Sequence, residues 1–170
     1  MAHGDEAPAA WFVRHAALVA AGARLLDVAA GRGRHARFFA ARGVEVVAVD
    51  RDAEALSSLS GVPRVRIEVH DLEAGAWPYP AASFDAVLVS NYLWRPSFEA
   101  LLATVRPGGV LLYETFMVGH ERYGRPSRPE FLLRVNELLE RLLPRFEVMA
   151  FEQGDDGQAV KQRVAARRLG

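Results

Sequence analysis

Residues 25–34 read LLDVAAGRGR, and this stretch decides the fold. It begins as a short apolar run, which is typical of a buried strand, and continues into a loop that contains Gly31 and Gly33. Glycine permits a positive φ and lets a ligand approach the backbone closely. The segment from His35 to Arg42 has a helical pattern, which Gly43 ends. Because the first amides of a helix can bind an anionic group, the stretch predicts a strand, a ligand-binding loop and a helix; a tight turn without a ligand is the alternative.

Strand and helix patterns alternate along the rest of the chain. Apolar or alternating runs predict strands at 24–29, 44–49, 65–69, 83–90, 110–114, 146–151 and 160–166. Helical patterns occur at 8–21, 35–42, 52–59 (with Asp52 as N-cap), 97–105 and 129–143 (with Leu132, Val135, Leu139 and Leu142 on one stripe). This alternation indicates one α/β domain with a doubly wound, mostly parallel sheet covered on both faces. Such sheets bind ligands at the carboxyl ends of their strands.

Composition narrows the class of protein. The chain has 170 residues, of which 51% are hydrophobic, and its 21 basic and 21 acidic side chains cancel. Zero net charge argues against a nucleic-acid partner, and the absence of cysteine excludes disulfides and thiolate metal sites. The five histidines show no paired spacing typical of a metal site. No membrane helix or signal peptide is predicted, so we expect a cytoplasmic monomer or homodimer that acts on a small molecule.

An acid stands at each of three successive strand ends. Asp27 precedes the glycine loop, and Asp50 ends the second strand 19 residues beyond Gly31 (50 − 31). An acid at that distance can accept hydrogen bonds from both ribose hydroxyls of a nucleotide. Asp71 follows the third strand, where it can accept from the adenine amine while the adjacent amide, at Leu72, donates to a ring nitrogen. Each acid alone is also typical of a turn, but the three together predict a nucleoside site.

A dinucleotide site is the main alternative. Arg51 lies beside Asp50 and is able to bind the 2′-phosphate of NADP. The spacing of Gly31, Gly33 and Ala36 is also compatible with a dinucleotide loop. Asp27, the Asp71 motif and the short chain argue against an NAD(P)-dependent oxidoreductase.

The motifs and their order resemble the class I S-adenosylmethionine-dependent methyltransferases over nearly the whole chain. Residues 25–33 resemble the first motif of that family, VAVD at 47–50 the second, and Asp71 with Leu72 the third. FDAV at 84–87 and RPGG at 106–109 resemble the fourth-strand motif and the turn before strand five. The resemblance implies methyl transfer with S-adenosylmethionine as cofactor. It also implies a seven-stranded Rossmann-like sheet whose final hairpin is antiparallel.

Within this superfamily the chain is most similar to small bacterial methyltransferases of the tellurite-resistance type. The similarity is carried by NYLWRP at 91–96, YETF at 113–116 and RPSRPEFLL at 125–133. NYLW at 91–94 stands where enzymes that methylate exocyclic amines have an Asn/Asp-Pro-Pro-Tyr/Phe motif. That departure argues against DNA as the substrate.

The resemblance also divides the single domain, 1–170, into working parts. Residues 1–22 are expected to cover the cofactor as a helix, 24–115 to bind it, and 116–170 to form a substrate-side lid and the closing hairpin. In the covering helix we expect Arg14 to pair with the methionine carboxylate and Trp11 to help close the pocket; a helix that packs on the core, with Arg14 extending to water, is the alternative. The predicted cofactor-binding residues are Arg14, Asp27, Ala29, Gly31, Gly33, Asp50, Arg51, Asp71, Leu72 and Asn91.

Candidate catalytic residues follow strands four and five. Asn91 and Tyr92 are expected to border the transferred methyl, where positioning of the nucleophile provides much of the rate. Glu114 is expected to orient the acceptor or take a proton; a solvated acid is the alternative. Polar side chains in the irregular segment suit an anionic acceptor, such as an oxyanion, or a thiol: His120, Arg122, Tyr123, Arg125 and Arg128. A solvated basic loop is the alternative. A non-catalytic S-adenosylmethionine-binding protein would carry the same first three motifs.

Overall fold

The computed structural model describes residues 6–170 as one sheet with helices on both faces. Residues 1–5, which include His3 and the start of the expected covering helix, lie outside the described residues. The strands are β1 (Arg24–Val28), β2 (Glu45–Asp50), β3 (Val65–Val69), β4 (Phe84–Ser90), β5 (Val105–Phe116), β6 (Phe146–Asp155) and β7 (Val160–Arg168). Their order is β3-β2-β1-β4-β5-β7-β6. Only the β5–β7 and β6–β7 pairs are antiparallel, so the predicted fold is confirmed.

Short helices connect the strands. They are α1 (Ala10–Arg14), α2 (Arg34–Ala40), α3 (Ala53–Ser57), α4 (Phe98–Thr104) and α5 (Glu137–Leu142). Single turns of 3₁₀ helix lie at Ala16–Leu18, Arg95–Ser97, His120–Arg122 and Pro129–Phe131. Asp52 caps α3 as predicted, because its Oδ1 accepts from the Ala55 amide at 2.9 Å. In the described part of the chain no helix is long and apolar enough to cross a membrane.

Apolar side chains bury both faces of the sheet. Leu25 belongs to the cluster on one face, with Phe12 and Phe39, and Leu26 to the cluster on the other face, with Phe98. Neighbouring residues of a strand point to opposite faces, so a strand that is covered on both sides reads as a continuous apolar run. This is why β1, β2 and β4 were recognisable from the sequence.

The expected helix at 8–21 is two shorter pieces, α1 and the turn at Ala16–Leu18. The role expected for Trp11 is wrong. Its ring is buried in the core, and its Nε1 donates to the Val164 carbonyl at 3.1 Å. A buried indole requires such a partner for its N–H, and β7 supplies one.

The expected helix at 129–143 is also wrong over most of its length. Only α5 is α-helical, Pro129–Phe131 is a single 3₁₀ turn, and Asn136, which precedes α5, has a left-handed φ of 62°. Val135 is 55% exposed, so the expected apolar stripe does not form. Residues 118–132 are instead a loop with joined ends, since the Val118 amide donates to the Leu133 carbonyl at 2.9 Å.

A buried carboxylate, Glu137, anchors this loop. It is 0% exposed, and Arg95 donates to both of its oxygens, at 2.8 Å each. Arg141 Nε donates at 3.0 Å and the Arg134 amide at 2.8 Å. Burial alone would raise the pKa of Glu137, but these hydrogen bonds lower it to about 2. Arg95 also donates to the Leu132 carbonyl at 2.8 Å, which ties the loop to the start of α4.

Candidate cofactor site

Two neighbouring cavities open at the carboxyl ends of the parallel strands. The first, about 360 Å³, is lined by residues that include Glu6, Asp27, Ala29, Gly31, Arg32, Gly33, Arg34, His35, Ser90 and Asn91. The second, about 310 Å³, is lined by Ala29, Asp50, Arg51, His70, Asp71, Leu72, Glu73, Asn91 and Tyr92. Because both include Ala29 and Asn91 in their walls, they are two compartments of one cleft. The cleft gathers every predicted cofactor residue except Arg14.

The glycine loop forms the floor of the first compartment. Gly31 and Gly33 have φ values of 56° and 80°, which glycine adopts at no steric cost. A methyl group at Gly33 would lie 2.4 Å from the Leu59 side chain, so no larger residue fits there. Asp50 holds the loop in place: its Oδ2 accepts from the Gly31 amide at 2.8 Å and its Oδ1 from the Asp52 amide at 2.9 Å. Both oxygens keep a further lone pair, as the predicted ribose contact requires.

Asp27 lies in the wall of the first compartment as a buried carboxyl with an open acceptor. It is 1% exposed, and its Oδ2 has no hydrogen-bond partner within residues 6–170. Burial raises the pKa of Asp27 from 3.8 to about 7, against the opposing hydrogen bond from the Ala36 amide. A cationic N–H donor, such as an ammonium group, stabilises the ionised form of a carboxyl that is shielded from water in this way.

Unpartnered polar atoms concentrate at the cleft. Among the described residues four buried side-chain polar atoms lack a hydrogen-bond partner: Asp27 Oδ2, Ser90 Oγ, Tyr92 OH and His15 Nε2. The first three belong to residues that line the cleft. Since buried polar groups in proteins are nearly always paired, this concentration fits a ligand that supplies both donors and acceptors.

Tyr92 and Asp71 meet in the second compartment. Burial raises the pKa of Tyr92, and the charges of Glu73 and Asp71 raise it further, which places its ring among the acids of this compartment. The Asp71 Oδ1 also accepts from the Glu73 amide at 2.9 Å, so Asp71 forms a local turn as well as a wall of the cleft. Tyr92 therefore lies at the expected adenine end. Its role beside the transferred methyl stays a prediction.

The structure does not bring Arg14 to the cleft. Its Nη1 pairs with Glu152 Oε1 at 2.7 Å, with both side chains at least half exposed, and its guanidinium lies over the Trp11 ring. Arg32 and Arg34 line the first compartment instead. Both stand inside the stretch that predicted the loop, so position alone could have pointed to them.

His35 binds the segment that precedes α1, of which Glu6 lines the first compartment. Its Nε2 accepts from the Ala9 amide at 3.1 Å, and its ring meets the edge of Phe12. Burial lowers the pKa of His35 to about 3, with smaller effects from the charges of Arg34 and Lys161. The imidazole is therefore neutral, which the acceptor role of Nε2 requires.

Glu114 is buried and paired, so the alternative of a solvated acid is wrong. Lys161 Nζ lies 3.2 Å from one of its oxygens and Arg163 Nε 2.8 Å from the other. Glu114 does not line either compartment, and its role toward an acceptor stays a prediction. Its carbonyl accepts from the Asn91 amide at 2.8 Å, and Asn91 Oδ1 accepts from Lys161 at 2.9 Å. Sequence reasoning missed Lys161 and Arg163.

The polar side chains of the loop at 118–132 do not converge on the cleft. His120 is buried, accepting from the Val160 amide at Nδ1 and donating from Nε2 to the Arg125 carbonyl. Arg122 and Tyr123 both bond to Asp155, in the closing hairpin. Arg128 pairs with Glu130 inside the loop. Across residues 6–170 no three His, Asp or Glu side chains are grouped as a metal site requires.

Residues 25–109, half of the chain, match the family model described as a methyltransferase domain. The chain belongs to this family. The stretch that matches runs from β1 to the turn inside β5 and therefore contains most of the cleft of this methyltransferase domain. S-adenosylmethionine, the cofactor predicted from the motifs, is consistent with the family and with the unpartnered groups of the cleft. The oxidoreductase alternative receives no support.

Individual relatives agree with this membership. A demethylmenaquinone methyltransferase from Renibacterium salmoninarum is 34% identical over 122 residues, which are 66% of this chain and 49% of the relative. The chain thus spans about half the length, or less, of the curated relatives it matches.

Solved structures share the fold at low sequence identity. TehB from Haemophilus influenzae superposes with a TM-score of 0.75 at 17% identity, covering 99% of this chain and 64% of TehB. A 1,6-didemethyltoxoflavin-N1-methyltransferase from Burkholderia thailandensis, solved with S-adenosylhomocysteine, gives a TM-score of 0.68 at 23% identity, covering 94% and 76%. These similarities are of fold, and they do not single out the tellurite-resistance type.

Proposed function

We propose that this chain transfers the methyl group of S-adenosylmethionine to a small-molecule acceptor. The observation that carries the proposal is the two-compartment cleft. Among the described residues, its walls include three buried side-chain atoms without a hydrogen-bond partner: Asp27 Oδ2, Ser90 Oγ and Tyr92 OH. One compartment holds a carboxyl suited to an ammonium group, and the other holds acids suited to a nucleoside. A ligand with an amino-acid end and a nucleoside end matches that order.

The methionine end of the cofactor is assigned to the first compartment. Asp27 Oδ2 would accept from its ammonium group, and the amides of the loop at Gly31 and Gly33 would lie beside it. Arg34, which lines this compartment, would pair with the carboxylate in place of Arg14. Arg34 is already held near residues 6–9, since its Nη1 lies 3.4 Å from the Ala7 carbonyl.

The nucleoside end is assigned to the second compartment. Asp50, fixed by two backbone amides, would accept from the ribose hydroxyls. Asp71 and Leu72 would contact the adenine edge. Tyr92, half-buried in the same wall, would pack against the ring and hydrogen-bond through its free hydroxyl.

When bound, the cofactor supplies a methyl group that its sulfonium already activates. The contribution of the chain is to hold the acceptor in line with that methyl and to exclude water. Ala29 and Asn91, shared by both compartments, stand where the two ends of the cofactor would meet. The acceptor would therefore approach past Asn91.

The acceptor is proposed to carry an anionic oxygen or a thiol. Arg32 and Arg51 are exposed, one beside each compartment, and neither guanidinium has a hydrogen bond or ion pair within residues 6–170. Such free guanidinium groups favour carboxylates and oxyanions. The names of the relatives add demethylmenaquinone as an acceptor to test, and the likeness to TehB adds tellurite.

The expected division of the domain is kept as part of the proposal. The family match at 25–109 supports the assignment of 24–115 to cofactor binding. Residues 116–170 would then border the acceptor, and the segment before β1 would cover the cofactor. Zero net charge supports a small acceptor rather than a nucleic acid or a membrane. We propose a cytoplasmic monomer or homodimer.

Calorimetry and a transfer assay test the proposal together. We expect S-adenosylhomocysteine to bind and NADP not to bind. With methyl-labelled S-adenosylmethionine, we expect label in at least one acceptor from a panel of demethylmenaquinone, tellurite, selenite, thiols and carboxylic acids. Binding of NADP alone would overturn the proposal. Binding of S-adenosylhomocysteine without transfer to any acceptor would favour a non-catalytic cofactor-binding protein.

A further inference from the structure

Lys161 is the sole lysine in a chain that has 20 arginines (21 − 1). It lies near the start of β7, and its side chain is only 12% exposed. Its ammonium lies 2.9 Å from Asn91 Oδ1 and 3.2 Å from Glu114 Oε1, and 4.7 Å from the centre of the Phe116 ring. The side chain therefore joins β7 to the ends of β4 and β5.

Asn91, the residue that Lys161 contacts, forms part of the wall between the two compartments of the cleft. It follows β4 directly and has a left-handed φ of 54°. A residue other than glycine keeps such a conformation only where its surroundings hold it. Two groups hold Asn91: the Glu114 carbonyl accepts from its amide, and Lys161 donates to its side chain.

Lys161 is not needed to neutralise the charge of Glu114, because Arg163 already neutralises it. The β5–β7 register sets Arg163 directly opposite Glu114, with Nε 2.8 Å from Oε2. Lys161 lies two residues away on the same face and reaches beyond this pair to Asn91. Its charge also acts on His35, which lines the first compartment, where it contributes to the lowered pKa of that imidazole.

We propose that Lys161 is a positioning residue for the cofactor: it fixes the side chain of Asn91 and, with it, the turn that separates the two compartments. The inference rests on the proposed function, because Asn91 matters to the cofactor only if the cleft binds one. Lys161 itself lines neither compartment, so it would act through Asn91.

A double-mutant cycle on the full chain tests this role, with S-adenosylhomocysteine affinity measured by calorimetry. Lys161→Met removes the ammonium and keeps an unbranched side chain, and Asn91→Ala removes its acceptor. We expect each single substitution to weaken binding by about 5- to 20-fold. The Kd of the double variant should lie within about twofold of the Kd of the single variant that binds more weakly. Additive losses, or an unchanged Kd in Lys161→Met, would overturn the inference.

Arg163→Met is the matched control, because it removes the other cation on Glu114 without touching Asn91. It should lower the unfolding temperature at least as much as Lys161→Met does, yet leave the Kd within about twofold of the unaltered chain. An equal loss of affinity in both variants would show that binding depends on the charge balance at Glu114. The proposed role of Lys161 in positioning Asn91 would then be wrong.

Two further substitutions keep the test valid if Lys161→Met does not fold. Asn91→Gly removes the strain of the left-handed φ but also the acceptor for Lys161, so we expect weaker binding. Asn91→Asp keeps an acceptor for Lys161, so it should lose less affinity than Asn91→Gly. The reverse order would overturn the inference. Failure of the unaltered chain to bind S-adenosylhomocysteine would instead overturn the proposed function.

Discussion

Two buried carboxyl groups, one in the parallel part of the sheet and one in the helix that packs beside the antiparallel hairpin, have opposite surroundings. Asp27, at the end of β1, is 1% exposed and leaves one oxygen without a partner. Glu137, at the start of α5, is 0% exposed and has both oxygens bonded by Arg95, with Arg141 and a backbone amide in addition. Burial dominates for Asp27 and raises its pKa to about 7, whereas hydrogen bonds hold the pKa of Glu137 at about 2.

The difference distinguishes the cleft, which is proposed to bind the cofactor, from the region around Glu137, which holds the loop at 118–132 in place. On the parallel side, polar groups are left open at the strand ends, which costs stability unless a ligand supplies partners. On the antiparallel side, Glu137 and Glu114 are each paired with at least two cations. The hydrogen bonds of Glu137 hold the loop at 118–132 in place. The cleft keeps the polar groups that a bound ligand can supply with partners.

The largest effect should come from breaking the anchor. Glu137→Leu leaves Arg95 and Arg141 without their buried partner, and we expect a loss of roughly 3–5 kcal/mol in the free energy of unfolding. Urea denaturation at neutral pH measures it. Glu140→Leu is the control, because Glu140 is 63% exposed and lies 4.0 Å from Arg134, so it should cost under about 1 kcal/mol. Similar losses in both variants would contradict the anchoring role.

Asp27→Asn should have opposite effects on binding and stability. The neutral amide removes the acceptor for a cationic ligand, so S-adenosylhomocysteine affinity should fall by about 10- to 100-fold. The free chain should become more stable at pH 8, by roughly 1–3 kcal/mol, because an unpaired buried charge is lost. Calorimetry and urea denaturation measure the two effects. A variant that binds normally would remove Asp27 from the cofactor site.

The two carboxyls also predict opposite dependences of stability on pH. The folded pKa of Asp27 is raised, so its contribution is complete below about pH 4 and is lost as the pH rises through about 7. The folded pKa of Glu137 is lowered, so its contribution is present above about pH 4.5 and is lost as the pH falls toward about 2.

His35 opposes Asp27 between about pH 4 and 6.5, because its folded pKa is lowered to about 3. The difference in unfolding free energy between Asp27→Asn and the unaltered chain is therefore the quantity to measure. That difference should grow in favour of the variant from pH 4 to pH 8. A difference that does not change with pH would mean that Asp27 does not titrate in this range.

Asp50→Ala should weaken S-adenosylhomocysteine binding by roughly 1–3 kcal/mol. The substitution removes both the proposed ribose contact and the hydrogen bond that Asp50 accepts from the Gly31 amide. Asp52→Asn is the control within the same turn, since asparagine also caps a helix and Asp52 lines neither compartment. Unchanged affinity in Asp50→Ala would count against the ribose assignment.

The smallest effect separates two arginines. Arg14 is exposed and paired with Glu152, so Arg14→Ala should leave S-adenosylhomocysteine affinity within about twofold. Arg34→Ala should weaken it by about 5- to 10-fold, from the loss of one charge-assisted contact. Calorimetry on both variants decides between them. A larger loss in Arg14→Ala would restore the role predicted from the sequence.

Local pattern was enough to predict the sheet and most of the cleft. The buried strands β1, β2 and β4 are short apolar runs. The three acids predicted to bind the cofactor lie at or just after the ends of β1, β2 and β3, so the parallel sheet brings them to one edge without further information. What failed depends on partners far along the chain. Glu137 is paired with Arg95, 42 residues away, and Asn91 with Lys161, 70 residues away. Helical spacing at 129–143 could not show that Asn136 takes a left-handed conformation.

The joined ends of the loop at 118–132 make it an exchangeable module. Its two ends are hydrogen-bonded to each other, so a change in its length or sequence need not move β5 or α5. Arg122 and Tyr123 connect the loop to Asp155, at the turn of the closing hairpin. His120 connects it to the Val160 amide, and Arg95 donates to the Leu132 carbonyl, so a replacement loop has to keep these two contacts. Under the proposed division of the domain, in which residues 116–170 border the acceptor, a different loop grafted between Met117 and Leu133 is expected to change the acceptor range and to leave the cofactor cleft intact.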